Sequence, residues 1–158
     1  MNNADDLLDP PERAPMSGGE RRCGSDVTTW PDSGMPLITL TVSYPLPAVC
    51  VIAVAGDLDA ATVPFMDERV REVLAGDPVW LVIDLGQVEF LGSSGLAALV
   101  RYSSHLGAME PPSRLLLTGA TRRVVYRPLE LTGLIPLFDS HPTLGEALAA
   151  LADEPLRP

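Results

Sequence analysis

The run Ala48-Val49-Cys50-Val51-Ile52-Ala53-Val54-Ala55 carries eight consecutive small or apolar residues with no polar alternation. A strand with one wet face alternates, whereas a strand covered on both faces does not, and such strands belong to sheets with helices packed against them. A second apolar run, Val79 to Leu85, follows it. Between the two, Thr62 stands as a helix cap with Pro64 in the first turn. Met66, Val70, Val73 and Leu74 then repeat at helical spacing until Gly76. Strand, helix and strand in this order make a βαβ unit, whose two strands run parallel through a right-handed crossover. Asp67 and Arg71 are placed to pair at i, i+4 on the outer face of that helix.

The rest of the pattern extends this unit. Leu37 to Val42 alternates apolar and Thr side chains as a half-buried strand, and Tyr44-Pro45-Leu46-Pro47 interrupts it before the central run. Gly56-Asp57-Leu58-Asp59 ends that run, and Val88 to Leu91 continues the second one as a short piece leading into Gly92. Leu96, Leu99, Val100 and Leu106 then share one helical face, with Arg101, Ser103, Ser104 and His105 off it. Leu115 to Thr118 supplies another strand. A helical segment from Thr121 follows, interrupted by Pro128 and closed by Gly133. Leu137-Phe138 reads as an edge strand, and Leu144, Ala147, Leu148 and Leu151 as a closing helix. The expected fold is α/β, an open mixed sheet of four to five strands with about four helices, in the order β-β-α-β-α-β-α-(β)-α.

Residues 1–36 are a different kind of sequence. They are rich in Asp, Glu, Pro, Gly, Ser and Thr, and Leu7-Leu8 and Trp30 are almost their only large apolar groups, too few to offset the entropy of ordering. They are expected to form a disordered tail on a domain spanning 37–154. Of the 158 residues 46% are hydrophobic, which suits one core. Twenty-one acidic residues against eleven basic ones leave a net charge of −10, and such a surface repels phosphate backbones and anionic bilayers. Neither nucleic acid nor membrane is an expected partner. Every basic residue is Arg, as in proteins from GC-rich bacterial genomes. Cys23 and Cys50 are far apart and form no C-x-x-C, which implies neither a disulfide framework nor a thiolate metal site. With no secretory leader and no apolar stretch of about 18 residues, the expected location is the cytoplasm.

The chemistry-bearing feature is Phe90-Leu91-Gly92-Ser93-Ser94-Gly95-Leu96, where a strand breaks into Gly-Ser-Ser-Gly and resumes as a helix. Two hydroxyls fall at a helix N-terminus, where unpaired backbone N–H groups and the macrodipole favour a Ser cap or an added phosphate. Taken locally, the turn needs no more than glycines for freedom and a serine as cap. A nucleophile elbow requires G-x-S-x-G, and here the second glycine comes one position early, so a hydrolase recruiting Ser94, His105 and Asp84 has little support. Phosphate cradles of the G-x-x-x-x-G-K-[ST] or G-x-G-x-x-G kind are absent and the chain has no Lys. His105 and His141 have no metal-ligand spacing, and no cofactor is implied. Asp57 and Asp59 end the central strand. By themselves they suit capping of the next helix, but loops beyond the carboxyl ends of parallel strands gather, which makes Gly56–Asp59 and Gly92–Gly95 neighbours.

Four segments in register, Val54-Ala55-Gly56-Asp57-Leu58-Asp59, Leu81-Val82-Ile83-Asp84-Leu85, Val88 through Leu96, and Leu129-Glu130-Leu131-Thr132-Gly133-Leu134, resemble the STAS domain of bacterial anti-sigma-factor antagonists. The resemblance runs from about Leu37 to Ala152. It implies a protein without catalysis of its own that binds an anti-sigma factor, itself a serine kinase of the histidine-kinase-like ATPase class, and so frees a sigma factor. It further implies phosphorylation of Ser94 by that kinase and resetting by a PP2C-type phosphatase. The implied partner surface comprises Asp57, Asp59, Gly92, Ser93, Ser94, Gly95 and Leu96. The family pattern D-S-[ST]-G-L has Asp where this chain has Gly92. A STAS module that regulates a transporter or scaffold without phosphorylation is the alternative.

Overall fold

A computed structural model describes residues 26–30 and 38–154. Its sheet has six strands in chain order: β1 (Asp26–Trp30), β2 (Ile38–Leu46), β3 (Val49–Leu58), β4 (Trp80–Leu91), β5 (Arg114–Thr118) and β6 (Asp139–His141). β2 runs antiparallel to both β1 and β3, and β3 through β6 run parallel. The parallel connections carry α1 (Val63–Leu74), α2 (Ser93–Gly107) and α3 (Arg123–Leu131), and α4 (Leu144–Ala152) follows β6.

The uninterrupted apolar run has its expected place. β3 lies between β2 and β4, and Val49 to Ile52 are all buried, facing the two sides of the sheet in turn. Cys50, Ile52 and Val54 join Leu40, Leu81, Ile83 and Leu117 beneath α1, α2 and α3. Val49 and Val51 join Trp80, Val82 and Leu116 beneath Ala147 and Leu151 of α4. Three helices thus cover one face and a single nine-residue helix the other. Each fully buried Leu or Ile in this arrangement contributes about 2 kcal/mol relative to an exposed one. Among the described residues, no helix is long and apolar enough to cross a membrane.

Several expectations are corrected. Asp26–Trp30, assigned to the tail, pairs along its length with Ile38–Val42 of β2. It gains order from β2's backbone hydrogen bonds, which a local count of apolar residues does not register. Residues 1–25, with Leu7, Leu8 and Cys23, lie outside the described residues. β2 continues through Pro45 to Leu46, with an irregular register after Ser43 that absorbs the missing N–H. The pieces expected at Val79–Leu85 and Val88–Leu91 are one twelve-residue strand. A shift in register between Asp84 and Gln87 takes up Gly86, whose N–H donates to Asp84 Oδ1 at 2.9 Å. Arg122 Nη1 donates to the Leu85 and Val88 carbonyls, at 3.2 and 2.8 Å, on either side of that bulge. Gly119, with φ +74°, presses on the same spot, where a Cβ would come 2.6 Å from Gly86 N.

The last strand begins at Asp139 rather than Leu137, because Ile135–Leu137 closes into a 3₁₀ turn and Phe138 is drawn into the core. Pro128 lies inside α3 without ending it, and Gly133 at φ +69° closes the helix, with Leu134 N–H donating to the Leu129 carbonyl at 2.9 Å. Asp67 turns from Arg71 toward α2, where it accepts hydrogen bonds from Arg101 and from the Tyr102 hydroxyl. Its carboxylate therefore ties α1 to α2. Burial, reinforced by this bond and by the Asp67 charge, raises the Tyr102 pKa far above that of a free phenol.

Candidate functional site

The end of β3 and the start of α2 are joined by direct contact. Asp57 registers with Phe90 and Leu58 with Leu91, so the two parallel strands finish together. The Gly92 N–H donates to the Leu58 carbonyl at 3.0 Å. A Cβ on Gly95 would stand 2.6 Å from that same oxygen and 2.8 Å from Leu91 Cδ1, so only glycine fits. The loops expected to be neighbours are neighbours. A Cβ on Gly92 would lie 3.7 Å from Asp59 Cβ and 3.1 Å from Phe90 Cε1.

Gly92, not a serine, occupies the cap position of α2, with φ −84° and ψ 174°. The expectation of a Ser cap is therefore corrected by one residue. Ser93 and Ser94 fill the first two helical positions, Ser93 exposed and Ser94 half-buried. The first intrahelical bond runs from Leu96 N–H to the Gly92 carbonyl at 3.0 Å. Helix geometry then leaves the N–H groups of Ser93, Ser94 and Gly95 without intrahelical acceptors, and the first turn holds no acidic side chain. The turn is thus open to an anion in its own electrostatics.

The β3–α1 loop is organised by Thr62 and Asp59. Thr62 Oγ1 donates to the Asp57 carbonyl at 2.7 Å and accepts from Asp59 N–H at 3.0 Å. Asp59 Oδ1 accepts from Ala61 and Thr62 N–H groups at 3.0 and 3.1 Å. Thr62 precedes α1 as expected, but its hydroxyl braces the loop instead of capping the helix. The Asp59 carboxylate takes up these loop N–H groups as an Asx turn just before α1. It is held in place beside Gly92 by its own loop.

The structure divides the expected surface residues into two groups. Asp57, Asp59, Gly92, Ser93 and Ser94 keep exposure, whereas Gly95 and Leu96 are buried. Leu96, 7% exposed, packs in the core and seats α2. Phe90, 53% exposed, was missed. The register shift between Gly56 and Asp57 skips Glu89, turning Phe90 outward and Leu91 inward. The adjacent apolar pair Phe90-Leu91 was the available signal, since neighbouring strand residues point to opposite faces. A hydrolytic triad is not assembled: His105 lies eleven residues along α2 from Ser94, about 16 Å of helical rise away. Asp84 Oδ1 is held by the Gly86 N–H in the bulge.

Comparison with known proteins bears on the family and the fold. The family model described as the STAS domain matches residues 43–147. The chain is similar to the anti-sigma-F factor antagonist RsfB of Mycobacterium tuberculosis, 37% identical over 121 residues, covering 77% of this chain and 92% of that protein. It is also similar to the anti-sigma-B factor antagonist of Listeria monocytogenes, 33% identical over 95 residues, covering 60% of this chain and 81% of the relative. A crystal structure of an anti-sigma factor antagonist from Mycobacterium paratuberculosis superposes with a TM-score of 0.65 at 38% identity, covering 73% of this chain and 95% of that one. With its mixed sheet, its four helices and a family match over most of the described residues, this chain belongs to the STAS domain family.

Proposed function

We propose that this protein is an anti-sigma factor antagonist that acts in the cytoplasm by binding, without catalysis of its own. Its partner is an anti-sigma factor that doubles as a serine kinase of the histidine-kinase-like ATPase class, and the complex releases a sigma factor. Phosphorylation of Ser94 ends the complex and a PP2C-type phosphatase restores it. The observation that carries this reading is the contact of Leu58 with Gly92 and Gly95, which holds Ser93 and Ser94 at an open helix N-terminus beside Asp57 and Asp59. Phe90, half exposed next to these groups, supplies the apolar anchor of the binding surface.

The chemistry of the switch follows from charge. A phosphate adds roughly −1.5 to −2 charges at pH 7. At the second position of α2 it is met by backbone N–H groups, so the domain keeps its fold. At the interface it adds bulk, a desolvation cost and repulsion toward an acidic partner surface. A change of about 3 kcal/mol weakens binding about a hundredfold, enough for release.

The test incubates the protein with candidate anti-sigma kinases and ATP and maps phosphate by mass spectrometry. Label on Ser94, retention of the partner by Ser94→Ala and loss of it by Ser94→Asp are expected. A kinase that neither binds wild type or Ser94→Ala nor labels Ser94 ends the proposal. One observation favours a second reading, a STAS module in a transporter or scaffold assembly that is not phosphorylated. Gly92 brings no carboxylate to the serines, and Asp59, beside Gly92, is already engaged by Ala61 and Thr62. A partner that binds equally to wild type and Ser94→Asp would select it.

A further inference from the structure

Three of the four large apolar side chains that stand exposed among the described residues, Tyr126, Leu131 and Leu137, lie on α3 and the 3₁₀ turn after it. Between those elements and the end of β5 runs a groove of about 90 Å³, lined chiefly by Leu117, Ala120, Tyr126, Leu129, Ile135 and Phe138. The helix that forms one wall is basic in an acidic protein. Residues 122–131 hold three Arg and one Glu, while the chain as a whole carries −10. Arg122 is spent on the β4 bulge and Arg127 stands 3.7 Å from Glu130. Arg123 is exposed and lies one turn before Tyr126 on α3, with no such partner among the described residues.

The chain carries a segment of complementary chemistry. Asp5-Asp6-Leu7-Leu8-Asp9-Pro10-Pro11-Glu12 sets an adjacent pair of large apolar residues among four acids and no base. We infer that this segment, which lies outside the described residues, docks in the α3 groove, with Leu7 and Leu8 against Tyr126, Leu129, Ile135 and Phe138 and its acids toward Arg123 and Arg127. The reach is sufficient. Seventeen residues lie between Leu8 and Asp26, a span of up to about 60 Å when extended, whereas six strands cover about 24 Å from edge to edge. Tethering presents the segment at an effective concentration on the order of millimolar, so a groove of this size holds it without high intrinsic affinity. The inference stands apart from the reading of Ser94.

The experiment compares amide NMR spectra of the full-length wild type, Leu7→Ser/Leu8→Ser and Arg123→Glu/Arg127→Glu. Both variants are expected to shift the signals of Tyr126, Leu129, Ile135 and Phe138 in the same direction, leaving Leu99 and Leu106 of α2 in place. Adding Asp5→Arg/Asp6→Arg to the Arg123→Glu/Arg127→Glu protein is expected to restore the wild-type positions. Groove signals unmoved by Leu7→Ser/Leu8→Ser overturn the inference. So do groove shifts that grow with protein concentration, which would assign the groove to a second copy of the chain.

Discussion

The Leu58 carbonyl oxygen sits where the first side-chain carbon of any residue but glycine at position 95 would have to be, 2.6 Å from that point. A methyl group there must push the end of β3 away from α2, because the obstacle is backbone and has no rotamer to change. Gly95→Ala is therefore expected to destabilise the domain by about 1–3 kcal/mol, as overpacking of a filled site does. At Gly92 the closest neighbour is the half-exposed Phe90 ring, which is free to swing, and Gly92→Ala is expected to cost less than 1 kcal/mol. Urea unfolding of the two variants checks the order.

A negative charge at position 94 has opposite effects on the fold and on the complex. Within the domain it meets the open N–H groups of the first turn, and Ser94→Asp is expected to raise stability by about 0.3–1 kcal/mol at low salt, with the gain fading as salt is added. Thermal unfolding at two ionic strengths measures this without any partner. A destabilised Ser94→Asp protein would mean that the turn does not accommodate an anion.

Arg122 holds the bulge of β4 from outside the strand. Removing its guanidinium in Arg122→Met strands the Leu85 and Val88 carbonyls at a site too crowded by Gly119 for easy rearrangement, at an expected cost of about 1–3 kcal/mol. Arg122→Lys, with a single ammonium, is expected to fall between the two. Amide exchange at Leu85 to Val88 should accelerate in the same order.

Burial pushes the Cys50 thiol up to about 11 from its ordinary 9.0, with the Tyr44 hydrogen bond pulling the other way. The folded state thus keeps its proton where the unfolded chain has lost it. Stability from this residue is intact below pH 9 and declines as pH rises from about 9 to 11. Wild type is expected to lose more stability over that window than Cys50→Ala, a difference in which Tyr102 cancels. The same burial predicts that Cys50 resists alkylation until the protein unfolds.

Much of this architecture is legible in the chain because burial on both faces writes itself as an unbroken apolar run, and burial on one face of a helix as a stripe. β3, α1, α2, β5 and α4 are of that kind. The features that escape are those whose cause is distant in sequence. β1 is ordered by its pairing with β2, so Asp26 to Trp30 look like tail. Gly86 looks like a strand breaker until Asp84, Gly119 and Arg122 close the bulge around it. Asp67 has a cation four residues away in Arg71 and takes one thirty-four residues away in Arg101. At the candidate site, the juxtaposition of the two loops follows from strand direction alone. The outward turn of Phe90 depends on a one-residue slip of register between β3 and β4, to which only the adjacent apolar pair Phe90-Leu91 points.

The strands of this sheet lie side by side in the order in which they occur along the chain, β1 to β6. No strand has to be threaded between two that are already paired. During synthesis each new strand finds a free edge made by its immediate predecessor, and each crossover helix closes over a strand pair already formed. The sheet grows from one side only, in the direction of translation, so besides the fixed edge at β1 a partly made chain presents a single growing edge at a time.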